Sequence, residues 1–183
     1  MTLKLLKTIR ADRSDTFIFA KAAEPDEWAV SGAFVFAQRD PALLTGKSRA
    51  AFRGGFLGVD SFGWSTLVRI VEASEADRAA AVEMLAAQLV RLCGAPDVST
   101  ARVAAEEEIA FSASLCEHPP GMLVAVARRY EKNATHEAFR TLQSGSRWKQ
   151  APVFTLVDVS DEEDASDKDK LIDLAAFANA ERR

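Results

Sequence analysis

The chain has 183 residues, 48% of them hydrophobic, with 23 basic and 27 acidic side chains and a formal charge of −4. That is the make-up of one globular domain with a true core; it excludes the disordered class and offers no basic field to nucleic acid or an anionic membrane. The charge is uneven, because seven acids and two lysines lie between residues 158 and 170, a net of −5 that leaves the rest near +1.

The N-terminal third reads as strands. Leu3, Leu5 and Ile9 share one parity over residues 3–9, and residues 16–20 are rich in β-formers. Over residues 28–36, Trp28, Val30, Phe34 and Phe36 alternate with Ala29, Ser31 and Ala33, and Glu24-Pro25-Asp26 suggests a hairpin turn before them. Asp40-Pro41 has the form of an N-cap with proline at the first helical position, opening a short helix over 44–53. Gly54, Gly55, Gly58 and Gly63 then crowd a stretch expected to be irregular, and a central strand follows over 64–72.

Ser74 to Asp77 resembles a capping box, and Val82, Leu85, Leu89 and Leu92 form the stripe of a helix that Gly94 and Pro96 end. A second helix carries Ala101, Ala105, Ile109, Ala113 and Cys116 until His118-Pro119-Pro120-Gly121 stops it, giving an antiparallel helix pair. Residues 122–130 and 135–142 are strands joined by a turn at 131–134, and residues 153–159 are a last strand. An acidic linker and a terminal helix with Leu171, Leu174, Ala175 and Ala178 on one stripe close the chain. The expected fold is α+β, with a mainly antiparallel sheet of about six strands, the helix pair on one face and a C-terminal helix. Residues 1–150 form one domain in this reading, and 151–183 dock on it or on a partner subunit.

The chemistry-bearing motifs fail one by one. Gly46-Lys47-Ser48 lacks a phosphate loop's first glycine, since Pro41 stands there and can neither donate nor take a positive φ. Cys93, Cys116, His118 and His136 match no zinc spacing, and the two thiols, each ending its own antiparallel helix, are expected about 25 Å apart as core residues. A helix C-terminus is the wrong end to activate Cys116 beside His118. Glu106, Glu107 and Glu108 point about 100° apart and read as a solvated face. The acidic linker lacks the spacing of a calcium loop, and neither Gly-x-Ser-x-Gly nor Gly-x-Gly-x-x-Gly occurs. No catalytic residue, metal ligand or cofactor is assigned. Two cysteines make no disulfide framework, no signal-peptide pattern opens the chain and no apolar run nears the ~20 residues of a membrane span, so the expected setting is cytoplasmic.

Two groups remain as binding candidates. Arg53, Phe56, Phe62 and Trp64 surround the glycine-rich stretch, which points to a non-enzymatic binding or accessory protein acting on a protein partner or on a second copy of itself. Arg128, Tyr130 and His136 on the late hairpin serve the alternative, a small-molecule-binding protein or enzyme with a pocket between sheet and helix pair.

The stretches Leu6-Lys7-Thr8-Ile9-Arg10, Ser14-Asp15-Thr16-Phe17-Ile18-Phe19, Glu27-Trp28-Ala29-Val30-Ser31-Gly32-Ala33-Phe34, Gly54-Gly55-Phe56-Leu57-Gly58 and Ser61-Phe62-Gly63-Trp64-Ser65-Thr66 resemble an uncharacterised bacterial family of unknown function over roughly residues 3–142. The resemblance implies a bacterial cytosolic setting and supplies no activity, cofactor or catalytic residue.

Overall fold

The computed structural model describes residues 2–143, all within the compact unit Met1–Trp148. The expected strand, acidic linker and helix over 151–183 lie outside the described residues. The elements are β1 (Lys4–Thr8), α1 (Ser14–Ile18), β2 (Trp28–Val30), two 3-10 turns (Ala33–Phe36 and Pro41–Leu43), α2 (Gly46–Gly54), β3 (Phe56–Gly58) and β4 (Trp64–Ser65). They continue with β5 (Leu67–Glu72), α3 (Glu75–Cys93), α4 (Val98–Ser114), β6 (Leu123–Glu131) and β7 (Ala134–Leu142). The fold is α+β, and among the described residues every strand pair is antiparallel, in a seven-stranded sheet of order β4-β3-β2-β1-β5-β6-β7, against an expectation of about six strands.

Three sequence expectations give way to tertiary contacts. The strand expected over 16–20 does not form, and its first three residues belong to α1: the Asp12 carboxylate receives the Ser14 amide, and the buried Asp15 carboxylate receives the amide and hydroxyl of Thr66. The same tether divides 64–72 into β4 and β5 at Thr66. The alternation over 28–36 stops at Val30, because Gly32 takes φ +80° and turns the chain into a 3-10 helix. A Cβ at Gly32 would lie 2.7 Å from the Leu57 Cβ and 2.9 Å from the Trp64 ring, so both the backbone angle and the space demand glycine there. Phe36 consequently joins Phe19, Ala51 and Phe52 in a satellite cluster. The glycine-rich stretch is also more regular than expected, since Phe56 pairs with Ser65 and Leu57 with Trp64 as a short hairpin.

The helix pair follows its sequence signals. Ser74 and Asp77 cap α3 reciprocally, Gly94 ends it at φ +73°, and Asp97 receives the Thr100 amide to start α4. Ala101, Ala105, Ile109 and Ser112 are the buried stripe of α4, which lies against β1 and β2 with α3 along it. Leu5 and Leu6, Ala29 and Val30, and Phe56 and Leu57 are all buried, so neighbouring side chains on β1 to β3 are covered on both sides of the sheet. Cys116 is buried as expected, whereas Cys93 is exposed.

The sheet curls. The rings of Phe56 on β3 and Phe139 on β7 are 6.2 Å apart, although five strand-to-strand steps separate them in the sheet order. Flat strands would set those positions roughly 24 Å apart. The curl turns β6 and β7 back over the ends of β2 and β3 and forms a half-barrel. Among the described residues no helix is long and apolar enough to cross a membrane.

Candidate functional site

The charged centre of the half-barrel is Arg128 on β6, whose side chain has no exposed surface. A guanidinium carries five N–H donors in a rigid fork, and here each one is used. Nε donates to Glu137 Oε1 at 2.6 Å, and one terminal nitrogen donates to the carbonyls of Phe52 at 3.0 Å and Gly55 at 2.7 Å. The other donates to the Ser31 carbonyl and to Ser31 Oγ, the latter at 2.9 Å, while the Ser31 hydroxyl donates to Glu137 at 2.5 Å. The Phe52 carbonyl belongs to the last turn of α2, where carbonyls lack helical partners and the dipole favours a cation. One side chain thus ties β6 to β7, to the residue after β2 and to the end of α2. Burial pushes the pKa of Arg128 down, and its hydrogen bond to Glu137 holds it up.

The hairpin turn places Glu137. Lys132 and Asn133 both have positive φ, the geometry of a two-residue turn that matches strand twist, and Glu131 pairs with Ala134 to close it. Counting back along both strands sets Arg128 opposite Glu137. In such a ladder hydrogen-bonded and non-hydrogen-bonded pairs alternate, and Arg128–Glu137 is one of the latter, where side chains approach most closely.

Glu108, on α4, stands half-buried beside this pair. Burial and the neighbouring charge of Glu137 raise its pKa to about 7, with Arg128 pulling the other way. The expectation of three solvated glutamates therefore holds for Glu106 and Glu107 and fails for Glu108. Cys116 is a core thiol whose pKa burial pushes up to about 11, which keeps it protonated at neutral pH.

The other candidates fall into two sets. Phe56 is fully buried, and Phe62 and Trp64 are half-buried against the core, with the Trp64 ring 5.4 Å from that of Phe36. Arg53, also half-buried, lies in the last turn of α2. The loop beneath them is tied by Glu27, whose carboxylate receives the amides of Glu24, Asp60 and Ser61 and the Ser61 hydroxyl. A Cβ at Gly58 would sit 2.3 Å from Glu27 Oε1, so the close backbone approach that glycine permits serves the chain's own carboxylate. Tyr130 and His136, by contrast, are exposed on the hairpin.

β7 itself is the most open of the described strands, with exposed and half-buried residues throughout. The turn fixes which of its backbone groups point away from β6. Those of Thr135, Glu137, Phe139 and Thr141 face outward, because these residues occupy the non-hydrogen-bonded pairs of the β6–β7 ladder. Among the described residues no strand pairs with that outer edge.

A curled antiparallel half-barrel, locked by one buried arginine and ending in a long strand whose outer edge is unpaired among the described residues, defines the class of this α+β protein. The chain belongs to a family of unknown function (DUF6505), whose model matches residues 1–163. No curated protein and no solved structure matches it.

Proposed function

We propose that this chain is a non-enzymatic binding or accessory protein whose contact surface is the outer edge of the β6–β7 hairpin. The observation that carries this reading is the nine-residue β7, with outward N–H and C=O groups at Thr135, Glu137, Phe139 and Thr141. An extended segment added to such an edge gains main-chain hydrogen bonds, and alternate side chains give it selectivity. Tyr130 and His136 supply contact area and hydrogen-bonding groups on the same hairpin. Arg128 supports the reading from beneath, by fixing the hairpin to the ends of β2 and α2. Phe56 does so as well, through its contact with Phe139.

The Thr141→Pro variant removes one outward amide and leaves the ladder to β6 in place. Cross-linking in cell extract is expected to give adducts with the unaltered protein that this variant loses, at unchanged melting temperature. Adducts that persist in the variant would move the contact surface elsewhere.

A second reading draws on Glu108. A half-buried carboxyl with a pKa near 7, set beside an arginine–glutamate pair between α4 and the hairpin, is the kind of group found in ligand-binding and catalytic sites. In this reading a small molecule binds between the sheet and the helix pair. A thermal-shift screen over a metabolite panel tests it: a shift lost in Glu108→Gln supports it, and no shift in the unaltered protein ends it.

A further inference from the structure

We infer that the partner of the β7 edge is a second copy of this chain, added antiparallel about a two-fold axis at Ala138. The inference rests on the strand-edge reading above and names the occupant. Three features of β7 carry it.

The first is the lack of most guards. Natural edge strands are blunted by proline, lysine, bulges, shortness or inward-pointing charges; β7 carries one inward charge, Glu137, and Arg128 neutralises it. β7 has no proline, lysine or glycine over its nine residues, and its pairing with β6 runs from Ala134 to Leu142 without a bulge.

The second is that the strand is self-complementary in one register. With Ala138 opposite Ala138, Thr135 meets Thr141 of the second copy and Ala134 meets Leu142, so the full length of the strand pairs with no overhang. Threonine pairs are favourable cross-strand neighbours, the central alanine pair brings no clash, and no carboxylate faces another. His136 opposite Arg140 is the only rung that sets two basic groups against each other. In a closed two-fold pairing the same patch serves both copies, which the symmetry of this register satisfies.

The third feature is parity. The outward-facing groups belong to Thr135, Glu137, Phe139 and Thr141, and this register sets odd residues opposite odd ones. Thr135–Thr141 and Glu137–Phe139 become hydrogen-bonded pairs, for about eight interchain hydrogen bonds over the two copies. Ala138 falls in a non-hydrogen-bonded pair, with its Cα about 4.5 Å from its own symmetry mate. That spacing is within reach of a disulfide.

The test uses the full chain. Sedimentation equilibrium from 1 to 100 μM is expected to give twice the monomer mass of 19.9 kDa at the upper end, and Thr141→Pro is expected to remain monomeric. With the exposed Cys93 changed to Ser, the variants Ala138→Cys and His136→Cys are oxidised separately. Ala138→Cys should run as a covalent dimer and His136→Cys should not. Because Ala138 is exposed, its substitution leaves the fold intact and keeps the register testable even where the proline variant misfolds. A monomer at 100 μM with no covalent Ala138→Cys dimer overturns the inference. If extract adducts sensitive to Thr141→Pro are seen all the same, the strand-edge reading survives with a different partner. A dimer that forms with Thr141→Pro and fails to cross-link at residue 138 overturns both.

Discussion

Replacing Arg128 by Met keeps much of its bulk and removes every donor of the staple. The carbonyls of Ser31, Phe52 and Gly55 and the Ser31 hydroxyl then lose a partner inside the protein, and Glu137 loses its counter-charge. Removing one member of a buried ion pair costs about 3–5 kcal/mol, largely because the remaining charge stays buried and unpaired. Glu137 keeps only 19% of its side-chain surface and cannot swing fully into water, so the loss belongs in that range. For a domain of this size about 2–4 °C of melting temperature accompanies each kcal/mol, so a fall of about 6–20 °C is expected. Urea unfolding followed by tryptophan fluorescence gives the free energy directly. The double variant Arg128→Met with Glu137→Leu should recover part of it, since no uncompensated charge remains. A loss below about 1 kcal/mol in the single variant, with no coupling in the double, would refute the staple.

Three further substitutions test other parts of the account. Glu108 has a folded-state pKa of about 7 against 4.5 for the free side chain, so the folded protein binds its proton more tightly than the unfolded chain does. Stability therefore falls as pH rises from 4.5 to 7 and stays low above it. Since solvent still reaches the carboxyl, Glu108→Gln should stabilise by about 1–2 kcal/mol at pH 8, less than the full shift implies. The variant should also lose that slope in a pH series of urea melts. Gly58→Ala drives a methyl into Glu27 and should cost about 1–3 kcal/mol, read as a lowered melting temperature, as the loop at Asp60 and Ser61 loses its acceptor. Ser112 carries a fully buried hydroxyl with no hydrogen-bond partner among the described residues, and Ser112→Ala should raise stability by about 1 kcal/mol in calorimetry.

Local signals proved sufficient where they were strong and self-contained. The capping box at Ser74, the Gly94 stop, the Asp97 cap and the turn at 131–134 each act within a few residues, and each element stands where they put it. Residues 16–20 and 28–36 show the opposite case. Their β-pattern gave way to a tether from Asp15 to Thr66 and to a left-handed Gly32 wedged under Trp64, contacts that span tens of residues. The two-residue turn already sets Arg128 opposite Glu137, so that half of the charged centre could be read from the sequence. Ser31 and the end of α2 could not, because only the curl of the sheet brings them to β6. Glu108 has the same run of glutamates around it that a solvated face has, and the curled hairpin beside it makes the difference.

The most direct test of the proposed contact edge is residue-resolved amide exchange across β7. At low concentration the outward amides of Thr135, Glu137, Phe139 and Thr141 should exchange quickly, while those of His136, Ala138, Arg140 and Leu142 are held by β6. Raising the concentration should slow the outward four and leave the inward four unchanged. Outward amides that are protected in dilute protein, or that stay fast once an assembly has formed, would contradict the account.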